Sequence, residues 1–322
     1  MKAAVVKAAG AAPVYTDFDR PDPLPGHRIV EVAASALSHV TRSKASGSHY
    51  SSSGAFPFVA GLDGAGRDAN SGRRVYFFWP RAPYGAMAEQ CLVPDAHCVP
   101  LPDTIDDVTA AAIAIPGMSS WAALVERAKF AAGETVLVNG ATGTSGRLAV
   151  QIARHLGAGR IIATGRDAGV LESLKEVGAD VVVSLRQDAD ALSRAFEAQY
   201  REGVDVVLDY VWGPSALSLL TTAARTLAED APLRFVQIGA LGGGEILLPA
   251  AALRAAPISL LGSGIGSLSL SGVLHAMRQV FEATATAGLR IATEAIPLAD
   301  VGARWGEIDS IRRAVFVPGG RI

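Results

Sequence analysis

The chain contains few cysteines and has no strong excess of charge of either sign. Only Cys91 and Cys98 occur among the 322 residues, too few for a disulfide framework, so the sequence predicts a cytoplasmic protein in a reducing compartment. The 29 basic and 31 acidic residues give a net charge of −2. A balance this close to neutrality does not indicate a nucleic-acid surface or an anionic membrane partner, and we expect neither.

We also expect neither a leader nor a membrane span. The first ten residues, MKAAVVKAAG, contain only short apolar runs broken by Lys7, unlike a signal peptide. Two longer uncharged stretches, 108–125 and 255–274, are interrupted by glycines and serines. Because a lipid-facing helix needs a dense run of large apolar residues, we expect both stretches to lie in the protein interior.

The length suggests two domains, and the pattern of residues changes along the chain. Residues 1–115 are typical of short strands and loops, and the glycine cluster 61–66 within them is interpreted as turns and bulges. From Thr135 the chain alternates between strands at 135–138, 161–164, 181–184, 204–208, 234–238 and 258–261 and helices at 146–156, 168–177, 189–200 and 214–227. This alternation predicts an α/β fold with a doubly wound, six-stranded parallel Rossmann sheet.

The segment after residue 265 is not needed by such a sheet. It contains a helix at 269–286, a strand at 291–296, a short helix at 300–312 and a strand at 314–317. We therefore expect the tail to return to the β-rich domain. The predicted domains are 1–115 with 266–322, and 116–265.

The strongest single motif is Thr135–Gly146, which reads TVLVNGATGTSG. A buried strand is followed by Gly140, Gly143 and Gly146, and then by an amphipathic helical pattern. The first glycine permits a tight turn, the second lets a diphosphate approach the backbone, and the third lets the helix pack closely. The motif predicts dinucleotide binding at the helix N-terminus, with Thr144 and Ser145 supplying backbone N–H groups. Arg147 stands where a Walker-type loop has lysine, which disfavours that loop.

The end of the second strand of the sheet bears on the choice of dinucleotide. NAD sites usually place a carboxylate there, whereas this strand ends at Thr164 and is followed by Gly165, Arg166 and Asp167. The Arg166 guanidinium can pair with the 2′-phosphate of NADPH. The alternative is a solvated surface arginine, and Asp167 can cap the next helix. We predict NADPH as the cofactor.

Several motifs in order resemble those of a known family. They are VLVNGATGTSGRLAVQIARHLGA with the following TGRD, GVDVVLDYVWG at 203–213, FVQIGALGG at 235–243, and the N-terminal VEVAASALSHVTRSKASG, VAGLDGAG and GAMAEQCLVP. Together they resemble the quinone oxidoreductase branch of the medium-chain dehydrogenase/reductase superfamily, over nearly the whole chain. The resemblance implies an NADPH-dependent reductase whose 1–115 and 266–322 domain is GroES-like. Trp212 stands where relatives often have glycine.

The resemblance extends the candidate cofactor site beyond the glycine motif. It assigns to the cofactor the segment after the fourth strand and the loops after the fifth and sixth, where ligands lie in parallel sheets. With Ser38 from the other domain, the predicted cofactor residues are Ser38, Gly140, Gly143, Thr144, Ser145, Gly146, Gly165, Arg166, Tyr210, Val211, Gly239, Ala240, Leu241, Gly262, Ser263 and Gly264.

The zinc positions of related enzymes are not kept. Zinc-dependent relatives have a cysteine in the segment that matches Leu37–Thr41, and Gly-His-Glu where this chain has Gly61, Leu62 and Asp63. A cluster of Cys91, Cys98 and histidines fits no standard zinc spacing. We expect no bound metal.

Without a Lewis acid the hydride acceptor must be electron-poor, so a quinone or an α,β-unsaturated carbonyl is favoured. The predicted catalytic residues, which would give a hydrogen bond or a proton to the acceptor oxygen, are His39, His49 and Tyr50, while water is an equal alternative. A 2-enoyl thioester reductase would need a basic entrance, for which the chain offers Arg42, Lys44, Arg73, Arg74 and Arg81. An NADPH-binding protein without turnover, structural or RNA-binding, is a further alternative. We expect a small-molecule electron acceptor as partner and a homodimer formed through the edge strand at 258–261.

Overall fold

The computed structural model describes residues 1–48, 54–307 and 312–319. The chain forms two compact units, one of Met1–Ile115 with Thr284–Ile322 and one of Pro116–Ala283. The strands are β1 Lys2–Val6, β2 Val14–Asp17, β3 His27–Ala36, β4 Phe58–Val59, β5 Asp63–Asp68, β6 Arg74–Phe78, β7 Gln90–Pro94, β8 Cys98–Pro100, β9 Thr135–Asn139, β10 Arg160–Gly165, β11 Val181–Ser184, β12 Val206–Asp209, β13 Leu233–Gln237, β14 Ile258–Gly262, β15 Thr293–Pro297 and β16 Arg313–Val317. The α-helices are α1 His39–Ala45, α2 Asp107–Ala122, α3 Thr144–His155, α4 Ala168–Ser173, α5 Ala189–Arg201, α6 Gly213–Thr226, α7 Ala252–Ala255, α8 Leu270–Ala287 and α9 Val301–Arg304.

The Pro116–Ala283 unit contains a six-stranded parallel sheet in the order β11-β10-β9-β12-β13-β14. This confirms the predicted doubly wound sheet, and each predicted strand lies within two residues of an observed one. Strand β9 is central, and its residues 136–139 are buried because helices cover both faces of such a sheet. Helices α5 and α6 pack Phe196, Leu219 and Leu220 into the same apolar core as Phe235 of β13. The sheet fixes the loops at the carboxyl ends of its strands.

The other unit is built mainly from antiparallel strands. One sheet has the order β2-β1-β4, and a second runs β15-β16-β3-β5-β6-β8, with β7 paired to β3. The prediction of turns and bulges at the glycine cluster 61–66 is partly wrong, because residues 63–68 form strand β5. Glycine is needed there for strand packing, since a Cβ on Gly66 would lie 2.2 Å from the Glu31 carbonyl oxygen. The register shift of this pair lies in β3, between Val32 and Ala34, opposite Gly66 and Ala65 of β5.

The second unit boundary differs from the predicted one. The sequence places it at 265/266, whereas the compact unit extends to Ala283 and includes most of α8. The apolar face of α8 is buried there, and Gly117 leaves room for it, because a Cβ on that glycine would lie 2.6 Å from Val280 Cγ1. The short helix predicted at 300–312 is limited to Val301–Arg304 in the described part of the tail.

One helical segment has the length and composition of a membrane span. It is Asp107–Arg127, which consists of α2 and a π-helical turn at Ala123–Arg127. In the fold, 72% of its apolar window is buried by the protein itself. The second uncharged stretch, 255–274, is divided among β14, a short 3₁₀ turn and the start of α8. The expectation of an interior segment is confirmed for 108–125 and is wrong for 255–274, where only Ser263, Val273 and Leu274 are buried and most of the other residues are exposed.

Candidate active site

The three glycines between β9 and α3 differ in their surroundings. Gly140 has φ +88°, and a Cβ there would lie 2.6 Å from Val211 Cγ2. A Cβ on Gly146 would lie 2.3 Å from the Gly140 carbonyl oxygen, so this glycine allows the helix to start close to the strand. The space around Gly143 is open, because the nearest atom to a Cβ would be 3.8 Å away. The first and third glycines thus shape the turn, and the second leaves room for a ligand.

The N-terminus of α3 offers free hydrogen-bond donors. Its N-cap residue is Gly143, no side chain caps it, and its first turn contains no acidic residue. The backbone N–H groups of Thr144, Ser145 and Gly146 belong to this first turn, which carries the positive end of the helix dipole. An uncapped helix N-terminus beside an open glycine fits a dinucleotide diphosphate.

A buried polar network fixes the end of β9 against its neighbours. Asn139 Nδ2 donates to Asp209 Oδ1 at 2.8 Å and to Ser215 Oγ at 3.0 Å, and Thr164 Oγ1 donates to Asn139 Oδ1 at 2.7 Å. The Gly140 N–H donates to Thr164 Oγ1 at 3.2 Å. Because three strands share these bonds, the glycine turn is held in one orientation. Burial raises the pKa of Asp209 despite its bonds to backbone N–H groups.

The loop after β10 contains Asp167, which could either accept from the ribose hydroxyls of a cofactor or cap the next helix. This side chain accepts the Val170 N–H at 2.9 Å as the N-cap of α4, so its carboxylate is engaged. Arg166 beside it is exposed at the carboxyl edge of the sheet. Gly165 is buried, and a Cβ there would lie 2.3 Å from Thr142 Cγ2. Arg166 and Asp167 are thus both exposed at this edge, and of the two only Asp167 has a capping role in α4.

The remaining predicted cofactor residues of this unit lie in loops at the same edge. Tyr210 is buried, its hydroxyl bonds Ser120 Oγ at 2.8 Å, and burial raises its pKa to about 12. The loop after β13 packs on it, since a Cβ on Gly239 would lie 2.6 Å from the Tyr210 carbonyl oxygen. Val211, Ala240, Leu241, Gly262, Ser263 and Gly264 complete the set, of which Ser263 is buried and donates its N–H to the Gln237 carbonyl at 2.8 Å while Leu241 is exposed.

The predicted residues of the other unit have different settings. Ser38 is buried and caps α1, accepting the Thr41 N–H at 3.0 Å. His39 begins the same helix, and desolvation together with the positive charges of Arg42 and Arg313 lowers its pKa. A neutral imidazole is therefore favoured near neutral pH. His49 and Tyr50 lie outside the described residues.

Asp63 stands where zinc-dependent relatives have the glutamate of Gly-His-Glu, and its carboxyl group is buried. Asp63 Oδ2 accepts the Tyr76 hydroxyl at 2.9 Å, and burial raises the pKa of Asp63 to about 6. Within the described ranges, no group of three His, Cys, Asp or Glu side chains has a geometry suited to a metal ion. Cys91 and Cys98 are free thiols, and burial raises the pKa of Cys98 to about 11.

This unit also encloses an apolar cavity of about 460 Å³. Its described lining includes Lys44 and Arg81 from the proposed basic set, whereas Arg74 lies in an ion pair with Asp107 at 2.7 Å. Arg42 donates to the Glu307 carbonyl oxygen. The cations predicted as one entrance therefore have separate environments.

Comparison with known proteins assigns the family. Residues 146–286 match a family model described as zinc-binding dehydrogenase. The chain is 30% identical over 226 residues to the quinone oxidoreductase of Rattus norvegicus, covering 66% of this chain and 67% of that protein. The chain belongs to the quinone oxidoreductase branch of the medium-chain dehydrogenase/reductase superfamily. The predicted resemblance is thereby confirmed.

Two further members of the superfamily match along the full length. A protein of Emericella nidulans named as a probable NADPH-dependent quinone reductase is 29% identical, covering 99% of this chain and 100% of that one. The quinone oxidoreductase of Thermus thermophilus, whose structure was determined alone and with NADPH, superposes with a TM-score of 0.81 at 25% identity, covering 98% and 100% of the two chains.

For this oxidoreductase, sequence reasoning missed one pair of residues. Lys44 Nζ lies 5.0 Å from the centroid of the Trp79 ring, and both residues line the cavity. In the sequence, Lys44 is only one of five candidate cations for a basic entrance, and Trp79 has no predicted role. The residues are 35 positions apart, so no spacing rule connects them.

Proposed function

We propose that the protein is an NADPH-dependent reductase that transfers a hydride to a quinone or an α,β-unsaturated carbonyl without zinc. The observation that carries the proposal is the uncapped N-terminus of α3 behind an open Gly143, with Arg166 exposed at the same edge of the sheet. The named NADPH dependence of the Emericella relative and the NADPH complex of the Thermus relative support it.

The residues of the Rossmann unit divide the work of binding the cofactor. The N–H groups of Thr144, Ser145 and Gly146 would bind the diphosphate, and Gly143 would let it approach. Arg166 would pair with the 2′-phosphate, while the Asp167 carboxylate caps α4 and so would not serve as the ribose-hydroxyl acceptor of an NAD site. When bound, NADPH supplies a hydride from C4 of its nicotinamide.

The proposal of a zinc-independent reaction rests on the residues that replace the ligands. The Ser38 hydroxyl is used in the cap of α1, and the Asp63 carboxyl group is bonded to Tyr76 inside the protein. With no metal to polarise a carbonyl, the acceptor must spread the incoming negative charge by itself. Quinones and conjugated carbonyls do so because the charge moves onto an oxygen atom.

The proposal also covers the partner, the compartment and the oligomeric state of the protein. The partner is a small-molecule electron acceptor rather than a nucleic acid or a membrane. Two free cysteines accord with a reducing cytoplasm. A homodimer through β14 is also proposed, because this strand is the end of the parallel sheet.

The test is oxidation of NADPH, followed by its absorbance, with a panel of acceptors. The panel contains naphthoquinone, phenanthrenequinone, a short enone and a crotonyl thioester. Turnover with the quinones or the enone supports the proposal, and selective turnover of the thioester would replace it by an enoyl thioester reductase. NADPH binding without any turnover would favour a protein that only binds the nucleotide.

Metal analysis of the purified protein tests the zinc-independent reaction separately. We expect substoichiometric zinc and an activity that chelators do not change. One equivalent of zinc per chain, with loss of activity on its removal, would contradict the proposal.

A further inference from the structure

The cavity in the first unit has an unusual chemical lining. Its described walls are mainly aromatic rings and prolines, among them Phe56, Pro57, Phe58, Trp79, Pro80 and Tyr84. The charged side chains of the described lining are Lys44 and Arg81, and none of the described lining residues is an aspartate or a glutamate. A largely apolar cavity of about 460 Å³ whose described lining carries two basic side chains suits a planar apolar molecule that carries an oxygen anion.

Lys44 places its charge at the wall of this cavity. The residue lies near the end of α1 and is half-buried, and its ammonium group is 5.0 Å from the Trp79 ring centroid. This distance is within the range of a cation–π contact, which holds an ammonium without taking up its hydrogen-bond donors. Burial lowers the pKa of Lys44, so the proton is held less tightly than on a free lysine.

Trp79 is fixed beneath that ammonium from several sides. Its backbone N–H donates to the Leu62 carbonyl oxygen at 2.8 Å. Its ring meets the Phe78 ring edge-on, with the centroids 5.3 Å apart. His97 Nδ1 lies 3.2 Å from its carbonyl oxygen. The tryptophan has φ +58°, a left-handed conformation that residues with a Cβ rarely adopt. Backbone strain of this kind tends to persist at binding sites, where surrounding contacts impose it.

We propose that the Lys44 ammonium, held over Trp79, binds an oxygen anion on a planar aromatic ligand that occupies this cavity. The proposal goes beyond the proposed function and does not depend on it, because it adds a second binding site with a named residue and a ligand class. That class is a planar aromatic molecule, such as a hydroxyquinone, that carries an oxyanion.

A binding experiment tests the proposal without requiring turnover. The probes are lawsone, a hydroxynaphthoquinone that is an oxyanion at neutral pH, and its uncharged methyl ether, with binding measured by titration calorimetry. We expect the wild type to bind lawsone about tenfold or more tightly than the ether, the scale of a hydrogen bond to a charged group. Lys44→Met should remove this preference, and Lys44→Arg should keep most of it. Lys7→Met, at an exposed lysine outside the cavity lining, is the matched control.

The possible results separate this proposal from the proposed function. Equal binding of lawsone by the wild type and Lys44→Met would overturn it, as would equal binding of lawsone and the ether by the wild type. If Lys44→Met does not fold, Lys44→Gln against Lys44→Arg decides the matter, since only arginine keeps the charge. A protein that shows the preference yet oxidises no NADPH would retain this anion site and lose the proposed function. A protein that oxidises NADPH, and whose Lys44→Met variant binds lawsone as tightly as the wild type, would keep the proposed function and lose the anion site.

Discussion

The backbone of Trp212 supports a prediction that opposes the usual ranking of helix-capping residues. Trp212 precedes α6 with φ +58° and ψ −154°, a combination that suits glycine. Two N–H bonds to Asp209 hold the loop, from Val211 at 3.0 Å and from Trp212 at 3.0 Å. The indole packs edge-on against Phe235 at 6.4 Å, so the side chain belongs to the core of its unit. The structure thus gives this tryptophan a packing role.

The expected magnitude follows from two opposing terms. A residue with a Cβ held in such a region costs about 1–3 kcal/mol. Glycine avoids that cost and loses about 0.5–1 kcal/mol through the greater freedom of the unfolded chain. Trp212→Gly should therefore exceed Trp212→Ser in free energy of unfolding by about 0.5–2 kcal/mol, although both lose the indole contacts.

The comparison with serine separates strain from helix capping. At an ordinary N-cap, serine is at least as good as glycine, so a capping effect would rank Trp212→Ser first. Urea unfolding followed by far-ultraviolet circular dichroism measures the order. The matched control is Leu227, half-buried with φ −65°, where serine should be at least as stable as glycine. Greater stability of Trp212→Ser than of Trp212→Gly would refute the reasoning from strain.

Three other predictions concern the cofactor, the buried carboxyl group and the sheet edge. Arg166→Ala should weaken NADPH binding by about 1.5–3 kcal/mol and leave NADH binding nearly unchanged in calorimetry, whereas equal losses would remove the 2′-phosphate role. The pKa of Asp63 is raised from 3.8 to about 6, so the native state holds this proton more tightly than the unfolded chain. The resulting stability is present below the unfolded pKa and is lost as pH rises through about 6, by up to about 3 kcal/mol. The stability of Asp63→Asn relative to wild type in urea should rise by that amount between pH ~4 and ~7, and parallel pH curves would contradict this. Leu260 on β14 is 39% exposed, so Leu260→Lys should convert the expected dimer to a monomer in light scattering. Leu247→Lys, at a 93% exposed leucine outside that strand, should remain dimeric, and a dimeric Leu260→Lys would exclude this edge.

The parallel sheet was predictable because each of its strands is a local apolar run between turn signals. The helix at 146–156 was predictable for the same reason, since its apolar residues repeat with helical spacing. The placement of most of α8 in the Rossmann unit was not. An amphipathic helix such as α8 shows which face is buried but not against what, and that depends on Gly117, more than 150 positions away.

The cluster at 61–66 shows a second limit of local reasoning. No helical pattern follows this run of glycines, so the sequence predicts turns and bulges there. In the fold, Gly64 and Gly66 sit in β5 because neighbouring backbone approaches them closely, with the Ala34 and Glu31 carbonyl oxygens 2.7 and 2.2 Å from the Cβ positions. Only the three-dimensional neighbours distinguish a glycine required by packing from one required by a turn.

The two proposed binding sites differ in how the sequence encodes them. The diphosphate site depends on backbone N–H groups and on three glycines within seven residues, so its geometry is local and a motif can reveal it. The proposed anion site depends on a lysine of α1 and a tryptophan after β6, which only the fold brings together. Side chains at such a site can change without disturbing any motif. The cofactor should therefore be shared more widely within this family than the ligand of the anion site, and replacement of Lys44 tests the second site without affecting the first.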